Sequence, residues 1–136
     1  MPRLVYNMQT MLQVRDLRES IAFYTEVLGF KVDGTWPPDE PTWAGLTSGN
    51  ARMMLSIVEG VTEMHFTGVI YMYPDDIDAA WEQLREKVEV VEAIETRPYG
   101  MRDFSFRDPN GYFITLGQSA DAAREHEQPH EHEHEH

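Results

Sequence analysis

The chain repeats itself at a spacing of sixty residues, and a duplication of that period constrains the architecture before any single element is considered. Asp16-Leu17 recurs as Asp76-Ile77, and Asn50 ahead of Met53-Met54-Leu55 recurs as Asn110 ahead of Phe113-Ile114-Thr115. Leu17, Ile21, Tyr24 and Leu28 fall onto Ile77, Trp81, Leu84 and Val88 at the same offset. Each copy reads as a strand, a helix and three further strands. In the first, residues 8–14 form a strand, Asp16 with Glu19 three residues later opens a helix, and Gly29 ends it. A strand over 30–36 runs into the Pro-rich segment 36–41, which cannot continue a sheet ladder, and strands near 43–47 and 52–57 follow. The second copy gives a strand over 68–73, a helix from Asp76 to about 87, and strands near 90–96, 102–107 and 112–117.

A helix and a short curved sheet cannot bury both sheet faces alone, so two such units must combine. The expected fold is α+β: two tandem βαβββ modules, about 5–60 and 66–118, with curved mixed sheets around a concave cup, in a single domain over 1–120. Residues 121–136 are polar and then alternate Glu with His, which predicts a disordered tail.

Cysteine is absent, so disulfides, thiolate metal sites and thiol nucleophiles are excluded. No apolar stretch is long enough for a signal peptide or a membrane span, and a cytoplasmic protein is the expectation. The net charge is −13; residues 1–120 alone carry eighteen acidic and ten basic side chains, a net −8. That balance argues against nucleic acid as a partner and favours a small-molecule ligand that is cationic.

Period-two alternation assigns the sheet faces. With Ile70, Met72, Ile114 and Leu116 toward the helices, Val69, Tyr71, Tyr73, Phe113 and Thr115 face the cup. A hairpin with Arg107 opposite Tyr112 adds Phe106, Phe104 and Arg102 to that face. The sixty-residue offset carries the pattern to Gln9, Met11, Ala44, Leu46, Met53 and Leu55, and a slip of one residue would invert it. Trp36 and Trp43, large apolar residues flanking a Pro-rich loop, stand near the mouth. The candidate ligand-binding set is therefore Gln9, Trp36, Trp43, Leu55, Tyr71, Tyr73, Arg102, Phe104, Phe106, Phe113 and Thr115. Such a lining suits a flat aromatic or cationic ligand. Arg102 is either an anion anchor or half of an internal ion pair.

Val14-Arg15-Asp16-Leu17, Ile21-Ala22-Phe23-Tyr24 and Val27-Leu28-Gly29-Phe30 resemble the opening of a vicinal oxygen chelate protein. This is the superfamily of glyoxalase I, extradiol dioxygenases and bleomycin-resistance proteins. The run from Tyr99 to Tyr112, with Arg107-Asp108-Pro109-Asn110-Gly111, resembles its closing hairpin. The resemblance implies dimers or fused pairs and, in the enzymes, a divalent metal held by His, Gln or Glu on the first and last strands of the modules. The matching positions here are Gln9, Leu55, Val69 and Thr115, of which only Gln9 can ligate. His65, the sole histidine of residues 1–120, lies in the linker, where a surface role is the expectation.

The resemblance thus points to the metal-free, bleomycin-resistance-like branch: a homodimer without cofactor or catalytic residue that sequesters its ligand in a crevice between modules. The alternative is a metal-dependent glyoxalase, lyase or ring-cleaving dioxygenase of the same superfamily. The tail histidines His130, His132, His134 and His136 would bind metal only loosely. A native tail and an engineered purification tail read alike in this respect.

Overall fold

A computed structural model describes residues 3–5 and 7–127. The chain divides into two compact units, Met1–His65 and Phe66–His136, each built on a four-stranded sheet.

The first unit runs β1 (Thr10–Gln13), α1 (Leu17–Ala22), β2 (Lys31–Trp36), β3 (Trp43–Ser48) and β4 (Ala51–Ser56). Asp16 caps α1 by accepting a 3.1 Å hydrogen bond from the Glu19 amide. After Ala22 the helix widens into one π-helical turn, Phe23–Val27, where Thr25 Oγ1 donates back to the Ile21 carbonyl at 2.7 Å. Gly29, at φ 80°, turns the chain out of the helix in the left-handed conformation that glycine adopts freely. Tyr24 is fully buried, with Phe23 and Phe30 meeting it edge-on at 5.3 and 6.0 Å.

The second unit repeats the order with β5 (Ile70–Met72), α2 (Ile77–Leu84), β6 (Glu89–Thr96), β7 (Met101–Arg107) and β8 (Phe113–Ser119). Asp76 caps α2 through the Ala79 amide, as Asp16 caps α1. Gln118 ties the helix start to β8, accepting from the Ile77 amide at 3.1 Å and donating to the Asp75 carbonyl at 2.7 Å. α2 stops at Leu84, three residues before the expected end. In both units the first strand pairs with the fourth in parallel, giving the orders β1-β4-β3-β2 and β5-β8-β7-β6. Of the two edge strands in each sheet, β2 and β6 carry bulges, one at Val32/Gly34 and two along 90–95.

The expected tail begins inside an element. α3 (Ala120–Glu127) follows β8 directly, with Ser119 Oγ accepting from the Ala122 amide and Ala123 buried. The alanines at 120, 122 and 123 favour the helix, and Ala123 gives it an apolar contact that a purely polar reading of the segment missed. His130, His132, His134 and His136 lie outside the described residues.

The sixty-residue offset holds at β1, α1 and β3, falls to fifty-eight at β2, where Val32 pairs with Leu46 and Val90 with Phe106, and rises to sixty-one after the last hairpin. Ala44 pairs with Leu55 and Leu46 with Met53, while Phe104 pairs with Leu116 and Phe106 with Ile114. Thus Leu55 corresponds in space to Leu116, and Met54 to Thr115. The cause is loop type. In the first unit Ser48 pairs with Ala51 across a two-residue turn whose first residue is Gly49 at φ 57°. In the second, Asp108 and Tyr112 flank the three-residue loop Pro109-Asn110-Gly111, closed by a 3.0 Å bond from the Asp108 amide to the Tyr112 carbonyl, with Gly111 at φ 88°. Asp108 Oδ1 fixes this loop by accepting from the amides of Asn110 and Tyr112, each at 2.8 Å.

Candidate functional site

The corrected register re-sorts the candidate residues. Arg107 lies opposite Phe113, not Tyr112, so Phe104 and Phe106 share the helix-side face with Ile114 and Leu116. Both phenylalanines are fully buried; Trp81 of α2 meets Phe104 edge-on at 5.1 Å, and Phe104 stacks on Phe106 at 5.9 Å. They are core, and the expectation that they line an open cup is corrected. Arg102 moves with them: its Nε and a terminal nitrogen donate to Asp78 Oδ1 of α2 at 3.0 and 2.9 Å, and its other terminal nitrogen donates to Thr96 Oγ1 at 3.2 Å. The ion pair, not the anion anchor, is its role in this unit.

In the first unit Ala44, Leu46, Met53 and Leu55 are likewise buried, on the face that α1 covers, because β4 pairs Leu12 with Leu55. Leu55 is corrected from the lining to the core.

What remains on the opposite, open face differs between the units. In the first, Met11 pairs with Met54 on adjacent strands, and Trp36 sits across from Trp43 on the β2–β3 hairpin. The Trp43 indole lies over Gly45, its edge 3.1 Å from where a Cβ would stand, so the glycine gives the ring its seat. Trp36 is largely exposed. Gln9 precedes β1 and is exposed at the margin. Of the expected set, Trp36 and Trp43 therefore come together here, with Met11 and Met54 as soft neighbours.

In the second unit Tyr71, Thr115 and Ser105 fall in one row across β5, β8 and β7. Ser105 and Thr115 share a buried 2.9 Å hydroxyl bond. Tyr71 and Tyr73 lie with ring centroids 5.1 Å apart at 44°. The Tyr71 hydroxyl rests 2.2 Å from where a Cβ of Gly117 would be, so here too a glycine admits an aromatic ring. Phe113 is on the same face, with the Arg107 guanidinium 5.6 Å from its centroid.

A group absent from the expected set organises this face. Asp103, only 3% exposed, pairs in register with Gly117. Its Oδ1 accepts from Arg97 Nε at 2.7 Å and its Oδ2 accepts from the Tyr99 hydroxyl at 2.8 Å. Arg97 in turn donates to Glu95 at 2.7 Å and to the Ala93 carbonyl at 3.1 Å. Burial, followed by the Asp103 charge, pushes the Tyr71 phenol above its ordinary value. The hydrogen bond to Asp103 does the same first for Tyr99 and raises Arg97 further. Asp103 and Ser105 were hidden by the register alone. A three-residue loop signalled by Pro109-Asn110-Gly111 places both on the open face.

Among the described residues no three His, Asp or Glu side chains converge as a metal would require. His65 is exposed and bonds Glu63 at 3.0 Å, as its linker position suggested. No helix among the described residues is long and apolar enough to cross a membrane.

Residues 8–116 match the profile of the Glyoxalase/Bleomycin resistance protein/Dioxygenase superfamily. Among solved structures the chain is similar to TnmS3, an antibiotic binding protein from Streptomyces sp. CB03234, at 26% identity and a TM-score of 0.69, covering 87% of this chain and 99% of that one. It is similar in fold to the bleomycin-binding protein of bleomycin-producing Streptomyces verticillus, complexed with copper(II)-bleomycin, at 22% identity and a TM-score of 0.63, covering 85% and 97%. A glyoxalase/bleomycin resistance protein/dioxygenase from Nocardioides shares the fold at 22% identity and a TM-score of 0.69, covering 88% and 86%. No curated protein matches.

Proposed function

The chain belongs to the glyoxalase/bleomycin resistance protein/dioxygenase superfamily, and from that premise we propose that it is a binder. It acts as a metal-free homodimer that sequesters an aromatic, antibiotic-like small molecule against its open sheet faces and breaks no bond. One fold of this kind serves binders and enzymes alike, so the site must decide between them.

The observation that carries the reading is the chemistry of the two open faces. One presents Trp36, Trp43, Met11 and Met54, and the other presents Tyr71, Tyr73 and Phe113. These are surfaces for stacking, and on the second face the polar groups Asp103, Arg97, Ser105 and Thr115 are bonded to one another in pairs. In the corrected register the open-face positions to compare with the superfamily's metal ligands are Gln9, Met54, Val69 and Thr115; none carries an imidazole or carboxylate, and Gln9 alone could ligate. An acidic body favours a ligand with positive charge. The likeness to TnmS3, itself an antibiotic binding protein, supports the same class of ligand.

The test is a titration of the full chain, in EDTA, with a panel of cationic glycopeptides and planar antibiotics, followed by tryptophan fluorescence. At least one should quench the signal with a dissociation constant well below about 1 mM, and Trp43→Ala should lose most of that affinity. Binding no tighter than about 1 mM across the panel, or equal binding by Trp43→Ala, overturns the reading. Turnover that chelation abolishes would replace it with a metal-dependent lyase or dioxygenase. Light scattering checks the dimer.

A further inference from the structure

Within the second unit, we infer that Tyr71, Tyr73 and Tyr99 form a subsite for an alkylated ammonium group, tertiary or quaternary, carried by the ligand. This inference rests on the binding reading above and specifies where the ligand's positive charge sits.

Three observations support it. First, the rings are both close and open to solvent: Tyr71 is 37% exposed, Tyr73 is 76% and Tyr99 is 69%. Tyr71 and Tyr73 are 5.1 Å apart, and the Tyr71 phenol is close enough to Tyr99 and Asp103 for both to raise its pKa. Exposed aromatic side chains grouped in this way offer a cation several ring faces at once.

Second, the local charge is negative. Asp103, Glu92 and Glu95 surround a single guanidinium, that of Arg97, which is committed to Asp103 at 2.7 Å and Glu95 at 2.7 Å. The hydrogen bond from Tyr99 to the Asp103 carboxylate also draws electron density into the phenol, which strengthens the negative face of its ring.

Third, the carboxylate itself is out of reach. Asp103 is buried, and each of its oxygens already accepts a bond, from Arg97 or from Tyr99. A primary ammonium brought here would give up part of its water without gaining the Asp103 carboxylate as an acceptor. An alkylated ammonium has little or nothing to donate, loses less on leaving water, and takes its stabilisation from the ring faces and the field of the buried charge. The subsite therefore discriminates by alkylation as well as by charge.

The probes are benzyltrimethylammonium, its neutral isostere neopentylbenzene, and benzylammonium, titrated onto the full chain and followed by tyrosine ring NMR shifts. Benzyltrimethylammonium should bind about tenfold more tightly than either comparator, the ratio expected of a partly desolvated cation–ring contact. Tyr73→Ala removes a well-exposed ring, leaves the fold intact by circular dichroism, and should reduce the ratio at least threefold. Tyr99→Phe should weaken only the cations, by about twofold to fivefold, with neopentylbenzene unchanged. Gly117→Ala, which forces the Tyr71 ring away, should abolish the preference.

Equal binding of the cation and its isostere, tighter binding of benzylammonium, or no binding of benzyltrimethylammonium up to about 10 mM overturns the inference. If the subsite fails while a planar antibiotic still quenches Trp43, the binding reading stands alone. If the cation preference is found and no antibiotic binds, the subsite stands and the wider reading falls.

Discussion

At one position of the duplicated fold the first unit places Trp43 and the second places Asp103, and the two open faces diverge from that exchange. Around Trp43 the neighbours are Trp36, Met11 and Met54, and contact is by dispersion and area. Around Asp103 they are Arg97 and Tyr99, bonded to it at 2.7 and 2.8 Å, with Tyr71 and the Ser105–Thr115 hydroxyl pair, 2.9 Å apart, on the same face. Both units solve one steric problem alike, by seating an aromatic ring over a glycine, yet Gly45 and Gly117 are not equivalent positions. Duplication kept the scaffold and let the two faces specialise, one toward adaptable apolar contact and the other toward a rigid polar network.

The largest test of that contrast is truncation at the shared position. Asp103→Ala leaves the mostly buried Arg97 without its main partner, and a loss of about 3–5 kcal/mol in urea unfolding is expected. Trp43→Ala opens a half-exposed site with no stranded charge, so its cost should be smaller, about 2 kcal/mol. Equal costs would mean that the network around Asp103 contributes no more than packing does.

Next come the glycine seats. Gly117→Ala brings a Cβ within 2.2 Å of the Tyr71 hydroxyl, and Gly45→Ala brings one within 3.1 Å of the Trp43 indole. Stability losses of about 1–3 kcal/mol are expected, the larger for Gly117. Near-UV circular dichroism should change in its tyrosine band for Gly117→Ala and in its tryptophan band for Gly45→Ala. Altered signals in the opposite bands would show that the rings are not seated where the geometry puts them.

The hairpin tips separate the units by a smaller amount. Alanine at Gly111 or Gly49, both at positive φ, should cost about 1 kcal/mol each. Replacing Pro109-Asn110-Gly111 with Gly-Asn should keep Phe106 opposite Ile114, because the length difference is confined to the loop. Phe106 displaced from the core in the resulting structure would contradict that account.

The smallest effect is in alkaline solution and concerns two tyrosines of the second unit. Tyr71 and Tyr99 have phenols raised above the ordinary value near 10. The folded protein therefore holds those protons longer than the unfolded chain does. The stabilisation is complete below about pH 10 and declines as pH rises through the folded values. Absorbance titration near 295 nm should show a late-ionising fraction of tyrosine, and Asp103→Asn should advance the part due to Tyr99. A single unshifted tyrosine transition would contradict the Asp103 network.

Most of the fold was legible in the sequence because its signals are local. Asp16 and Asp76 cap their helices as the pattern predicts, and Gly29 ends the first helix by its backbone freedom. The superfamily follows from the same motifs. The faces were less legible, since they depend on hairpin register, and one residue of register exchanges every side chain between core and surface. That single residue sent Phe104, Phe106, Arg102 and Leu55 to the wrong side and hid Asp103. The chain carried only part of the distinction: Gly49-Asn50 suits a two-residue turn with glycine first, whereas Asn110-Gly111 suits either a two-residue turn or the end of a three-residue loop. Tyr99 was beyond such reasoning, because nothing local brings a loop phenol onto a buried carboxylate.

The bulges on β2 and β6 bear on abundance. A protein that neutralises its ligand one molecule at a time must accumulate to the ligand's own concentration, where open sheet borders recruit further copies into aggregates. At the β2 and β6 edges the irregular strands, with Glu89, Glu92 and Glu95 along β6, deny an incoming strand a regular hydrogen-bonding template and repel a like-charged one. For a protein that binds as proposed above, the β2 and β6 rims of these sheets matter as much as their faces.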